Sequence, residues 1–139
     1  MASSLSRDRS LAFNEFVTEQ HLAILTLVRA DGYPHSTPVG FTWDSGERLA
    51  RVITWSGSLK SRLLEKGSLL GSLCQVDGGR WVTLQGLCSV TADVDACVDA
   101  VARYSVRYSP PKDRGPERRV VTMEVSRVLA SKGLNPSGS

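Results

Sequence analysis

The chain has 139 residues, with 17 Lys and Arg against 14 Asp and Glu, a formal charge of +3 at neutral pH. Its length suits one domain that buries roughly two-thirds of its unfolded surface, and 41% hydrophobic with 22% charged residues excludes wholesale disorder. No run approaches the roughly 20 apolar residues of a membrane helix, and the opening MASSLSRDRS lacks the apolar centre of a secretory signal. A cytoplasmic protein with no membrane partner is the expectation.

Leu11, Phe13, Phe16 and Val17 recur at near-helical spacing behind Asp8 and Ser10, either of which can cap, and predict a short helix over 11–20. Residues 22–30 are aliphatic and β-branched, and the following Asp31-Gly32 pair favours a tight hairpin turn. The returning strand covers 35–43 with interruptions at Pro38 and Gly40, and a third strand over 48–55 completes a meander. Ser58 then caps a helix over 58–66 that turns Leu59, Leu63 and Leu64 inward and stops at Gly67. Two strands, 69–76 and 80–91, flank the hairpin signal Asp77-Gly78-Gly79. Asp93 caps a helix over 93–108 with Val94, Cys97, Val98, Val101, Ala102 and Ser105 on one stripe, and Pro110 and Pro111 cannot continue it. A last strand over 119–129 leads into a tail with no packing signal.

Six strands joined mostly by hairpins predict a mainly β fold. An antiparallel sheet must hide its edges, and closing into a small barrel with peripheral helices does so; a Greek-key sandwich is the alternative. Cys74, Cys88 and Cys97 form an odd set without a close pair, which points to reduced, structural thiols and against a disulfide framework or zinc site. His21 and His35, the only histidines, lack a metal-binding spacing, and no metal is expected. No Gly-x-Ser-x-Gly elbow occurs, which disfavours hydrolysis.

The most informative stretch is 54–62, TWSGSLKSR, where a strand ends, a glycine permits close backbone approach and a helix begins. Free amides, the helix dipole, hydroxyls and cations converge there, an arrangement that favours an anion such as phosphate. The alternative leaves Ser58 as a plain cap, with Lys60 and Arg62 in water. Residues 35–40, HSTPVG, offer either main-chain groups to a planar ligand or only an irregular edge strand. Residues 75–81, QVDGGRW, join a tight turn to a cation and an aromatic; Trp81 is either a ligand contact or a packing anchor. Nucleic acid is not expected, because cations are interspersed with carboxylates and aromatics make up only 6% of the chain.

The segments HLAILTLVRADGYPHSTPVGFTWD, ARVIT, SGSLKSRLL and SLCQVDGGRWVTLQG, in that order and spacing, resemble the split β-barrel flavin and deazaflavin oxidoreductases, the superfamily that includes pyridoxamine phosphate oxidase. The likeness covers about residues 11–130, and QVDGGRW with VGFTWD is most similar to the coenzyme F420-dependent branch, specifically actinobacterial biliverdin reductases. The resemblance implies a six-stranded FMN-binding split barrel and an oxidoreductase whose cofactor carries the hydride, so that no catalytic side chain is assigned. It implies that His35, Ser36, Thr37, Pro38 and Val39 line the deazaflavin ring, and that Ile53 and Thr54 sit beside its ribityl chain. Ser58, Lys60 and Ser61 would hold the phosphate, while Gln75, Val76, Asp77, Gly78 and Arg80 would complete the pocket. Trp81 would lie near a dimer seam, and Trp43 and Trp55 stand in segments that suit the same seam. Trp55 and Ser56 depart from the smaller, glycine-rich sequence expected at that position, and the chain lacks the Arg-rich ending of true pyridoxamine phosphate oxidases.

The expected reaction is hydride transfer from reduced F420 to biliverdin, giving bilirubin, in a cytoplasmic homodimer. The alternatives are an FMN-dependent oxidase or reductase on the same barrel and a non-catalytic flavin- or tetrapyrrole-binding protein.

Overall fold

The computed structural model describes residues 4–136. Helix α1, Ser4–Phe16, starts earlier than the apolar spacing predicts and runs through Asp8 and Ser10, which are therefore helix interior and not caps. Thr18 Oγ1 closes its end by donating to the carbonyls of Asn14 and Glu15. The strands are β1 Ala23–Val28, β2 Pro34–Val39, β3 Thr42–Asp44, β4 Leu49–Trp55, β5 Leu69–Asp77, β6 Arg80–Thr91 and β7 Arg118–Ala130. Helix α2, Leu59–Glu65, follows β4, and α3, Val94–Arg107, follows β6. Ser58 and Asp93 cap α2 and α3 as expected, each accepting a backbone N–H through its side chain.

All pairings are antiparallel, and the strand order is β2-β1-β5-β6-β7-β4-β3. Two expectations change here. The sheet has seven strands, because the predicted strand 35–43 breaks into β2 and β3 at Gly40. A Cβ on Gly40 would lie 2.8 Å from the Tyr104 ring and 2.9 Å from that of Tyr108, so the two tyrosines occupy the space a side chain needs. The meander also fails, since β2 pairs with β1 alone while β4 pairs with β3 and β7. The chain leaves one sheet edge at Val39 and rejoins the opposite edge at Thr42, so the sheet wraps its core without closing by hydrogen bonds.

Period-two alternation sends Ala23, Leu25 and Leu27 of β1 inward, where they meet Leu73, Leu84, Met123, Phe41 and the α1 residues Phe13 and Phe16. The tail packs, contrary to its lack of apolar pattern: Leu134 joins the core and Asn135 is buried, donating to the Val128 carbonyl. At Gly86 the β6–β7 register shifts, and a Cβ would lie 1.9 Å from the Glu124 carbonyl oxygen, so only glycine lets the strands approach. Helix α3 docks through Cys97 and Ala100, not through the whole predicted stripe; Val94 and Val98 face outward. The three cysteines are free, with the Cys88 thiol pushed up to about 12 by burial. No helix among the described residues is long and apolar enough to cross a membrane.

Candidate functional site

The corner between β4 and α2 is built by short-range hydrogen bonds. Ser58 Oγ accepts from Thr54 Oγ1 at 2.7 Å and from the Ser61 amide at 3.2 Å, which fixes the turn and the first turn of the helix. Gly57 is required because a Cβ would meet the Trp55 ring at 2.2 Å; the indole lies across the turn and stacks under the Arg114 guanidinium, 4.8 Å from the ring centre. Helix α2 spans seven residues, so its dipole is small and Lys60 supplies the charge. Burial alone pushes the Lys60 ammonium below the ordinary lysine range, with no carboxylate among the described residues close enough to pull it back. Ser61 is fully enclosed, its hydroxyl directed to Glu65, while Arg62 is exposed. Ile53 packs beside Cys97, Ala100 and Val120, and Arg118 donates to the Thr54 carbonyl at 3.2 Å.

The second group of predicted residues lies across the sheet. On β2, His35, Thr37 and Val39 alternate with the exposed Ser36 and Pro38. Ser36 Oγ and Thr26 Oγ1 are 2.8 Å apart on the outer face, while Thr37 Oγ1 is enclosed with no hydrogen-bond partner. Register carries Val39 through Ala23 to Gln75, so β2 and the end of β5 share one rung. Gln75 is buried and engaged at both amide ends: its Nε2 donates to the Phe16 carbonyl at 2.7 Å, and its Oε1 accepts from Arg107 at 2.6 Å. Beyond it, Val76 is exposed opposite Trp81, and Gly78 takes the left-handed conformation of the turn.

Arg80 closes that end. It bonds Glu19 at 2.9 Å and Asp77, and its guanidinium lies 4.8 Å from the centre of the Phe16 ring. Glu19, whose carboxyl is held below its ordinary range chiefly by Arg80, also accepts from His21 at 3.2 Å. Glu19, His21 and Asp77 bring their ligand-type atoms within 4.8 Å of one another, but both carboxylates are already ion-paired with Arg80.

Sequence reasoning missed Arg107 and Tyr108. Arg107 donates to the carbonyls of Glu19, His21 and Phe41 and stacks on the rings of Phe41 and Tyr108; the Tyr108 hydroxyl donates to the His21 carbonyl at 2.7 Å. Partners 32 to 88 residues away in sequence leave no local signal. Within the single chain the three tryptophans have separate surroundings. Trp43 packs edge-on against Phe13, Trp55 lies on Gly57, and only Trp81 stands on the outer sheet face.

The predicted residues thus form two groups, the β4–α2 corner and the β2–β5–β6 face, with four strands between β2 and β4 in the sheet order. A phosphorylated planar cofactor matches this chemistry: an unpaired, half-buried cation with hydroxyls at one group, and an enclosed unpartnered hydroxyl on the edge strand β2 at the other.

Comparison with known proteins agrees. Residues 11–132 match the profile of the pyridoxamine 5'-phosphate oxidase family. The chain is similar to the F420H2-dependent biliverdin reductase of Mycobacterium tuberculosis, 45% identical over 119 residues that cover 86% of this chain and 85% of that protein. Among solved structures it resembles an F420 reductase with a TM-score of 0.67, at 20% identity over 84% of this chain and 95% of that one. It also resembles a conserved hypothetical protein from M. tuberculosis with a TM-score of 0.72, at 19% identity over 100% of this chain and 89% of the other. At such identities the structures speak for the fold alone, whereas the profile covers nearly the whole chain: this chain belongs to the pyridoxamine 5'-phosphate oxidase family.

Proposed function

We propose that the chain is an oxidoreductase that reduces biliverdin to bilirubin with reduced coenzyme F420. The observation that carries this reading is the 45% identity, over most of both chains, to a protein with that activity. The half-buried, unpaired Lys60 gives it a physical basis, because such a cation needs an anion to recover its lost hydration.

The bound deazaflavin would supply a hydride and a proton, the two hydrogens that separate biliverdin from bilirubin, so no outside reductant is needed. The chain's own part is binding and orientation. Lys60, with the Ser58 hydroxyl, would hold the phosphate, Ser61 would act from within through its amide bond to Ser58, and Thr54 and Ile53 would stand beside the chain leading to the ring. His35, Ser36, Thr37, Pro38 and Val39 would border the ring. Val76, Asp77, Gly78 and Arg80 would frame the pocket, with Gln75 acting from within by fixing α1 and Arg107.

We further propose a homodimer. The strand order holds the two groups apart in one chain, and the outer sheet face exposes Leu22, Ile24, Val28, Leu70, Val76, Trp81 and Leu87. A second copy on that face would bury these side chains and bring one protomer's ring-binding group to its partner's phosphate corner. Three free thiols, with no disulfide among the described residues, suit the reducing cytoplasm.

The test mixes protein with reduced F420 and biliverdin. Oxidised F420 and bilirubin should appear together, far faster than with NADPH or reduced FMN as donor. Tight FMN binding without F420 binding would transfer the protein to flavin chemistry; F420 binding with biliverdin untouched would remove the substrate and keep the cofactor.

A further inference from the structure

The outward stripe of α3 is unused by the core. Val94 is 72% and Val98 65% exposed, and with Val101 they face residues 110–116 across a cavity of about 490 Å³. Pro110, Pro111 and Pro116 form the opposite wall, and their fixed φ holds it with little conformational entropy to lose. This size falls within the roughly 300–1,000 Å³ common for small-molecule sites. The lining is mostly apolar and carries three cations, Lys112, Arg114 and Arg118, with Asp113 the one carboxylate among the lining residues.

None of the three cations has an ion-pair partner among the described residues. Arg118 is shifted below its ordinary range by burial and then by the like charge of Arg114, a repulsion that a bound anion would relieve. The same side chains join the groove to the cofactor corner, since Arg114 stacks on Trp55 and Arg118 donates to the Thr54 carbonyl.

We propose that this groove seats the electron acceptor: an extended conjugated dicarboxylate of the biliverdin class lies against Val94, Val98, Pro110 and Pro111 and directs its carboxylates to Lys112, Arg114 and Arg118. The inference rests on the biliverdin reading above. Charge complementarity selects this occupant, because a mostly apolar lining with three cations against one carboxylate matches a flat apolar body carrying two anionic groups. An oligoglutamate tail would set charged groups against valines.

The test measures biliverdin binding by quenching of tryptophan fluorescence, Trp55 lying against the lining residue Arg114, with and without oxidised F420. Val98→Asp alters an exposed position and puts a negative charge in the groove, and Arg114→Ala removes a lining cation. Each should weaken biliverdin binding at least tenfold, while F420 affinity, thermal midpoint and sedimentation stay at wild-type values. Unchanged biliverdin affinity in both variants overturns the proposal. So does a Val98→Asp protein that loses F420 affinity or changes its oligomeric state while binding biliverdin normally, because the groove then holds the cofactor tail or a second chain. Failure of the wild type to oxidise reduced F420 with biliverdin would instead remove the reductase reading, and the fluorescence titration would still decide the groove.

Discussion

Lys60 is unfavourable to the free protein and useful to the bound one. Because burial lowers its pKa in the folded state, the protonated side chain costs stability at neutral pH, and that cost fades as pH rises toward the pKa of an unfolded lysine. Lys60→Met should therefore raise the thermal midpoint of cofactor-free protein at pH 7 while weakening F420 binding more than tenfold. A charge-assisted contact contributes about 1.5–3 kcal/mol, and 1.4 kcal/mol is tenfold. Lys66→Ala, at the exposed end of the same helix, should do neither. The pH profile separates charge from packing: F420 affinity should fall as alkaline pH deprotonates Lys60, from a pH below that of an ordinary lysine, and Lys60→Arg should flatten the fall. A wild-type affinity independent of pH across that range would take Lys60 out of the site. Arg107 acts on stability instead. Removing it leaves the buried Gln75 oxygen without its donor and takes a charged donor from the carbonyls of Glu19, His21 and Phe41, so Arg107→Met should lose about 3 kcal/mol in urea unfolding, with m unchanged.

Legibility divides at the scale of elements according to how local the cause is. Capping of α2 by Ser58 and of α3 by Asp93 and the hairpin at Gly78-Gly79 depend on neighbours in sequence, and all stood in the residue pattern. The split of β2 from β3 did not, because what excludes a side chain at Gly40 is a pair of tyrosines more than 60 positions away. Helix α3 misled for a related reason: its apolar stripe is real, but the barrel takes the adjacent Cys97–Ala100 side and leaves Val94 and Val98 outside. Within the candidate site, the hydroxyls and Lys60 at the β4–α2 corner were legible from the sequence, whereas the internal engagement of Gln75 depends on Phe16 and Arg107, which no spacing connects to it. Gly86 gives the sharpest element-scale expectation. Its missing side chain lets β6 and β7 pass the register shift, and the atom in the way is backbone, so Gly86→Ala should lose about 3 kcal/mol or more. Gly79→Ala, which has nothing within 4 Å, should change little by comparison. Equal unfolding midpoints for the two variants would show that the strands part freely at the bulge.

At the scale of the whole molecule, the question is what covers the outer face of β1, β5 and β6. The register pairs Leu70 with Leu87 on one rung and Val76 with Trp81 on another, and Leu22, Ile24 and Val28 are exposed on or beside the neighbouring β1. A soluble monomer rarely leaves so continuous an apolar surface open, and a stable interface needs about 800 Å² from each partner. The face is also where Ser36 and Pro38 emerge, so covering it and completing a cofactor pocket are one event in this reading. Leu70 is 65% exposed in the isolated chain and belongs to neither candidate group, which makes it the informative position. Leu70→Asp should fold, because the new carboxylate stays in water in the monomer, but two such charges would oppose each other in the dimer. Sedimentation at micromolar concentration should therefore show a wild-type dimer and a Leu70→Asp monomer, and the monomer should bind F420 at least tenfold more weakly with Lys60 intact. If Leu70→Asp is monomeric yet binds F420 as the wild type does, each chain holds a complete pocket and the two groups must meet by curvature of a single sheet; if the wild type is itself a monomer, the exposed face needs another cover.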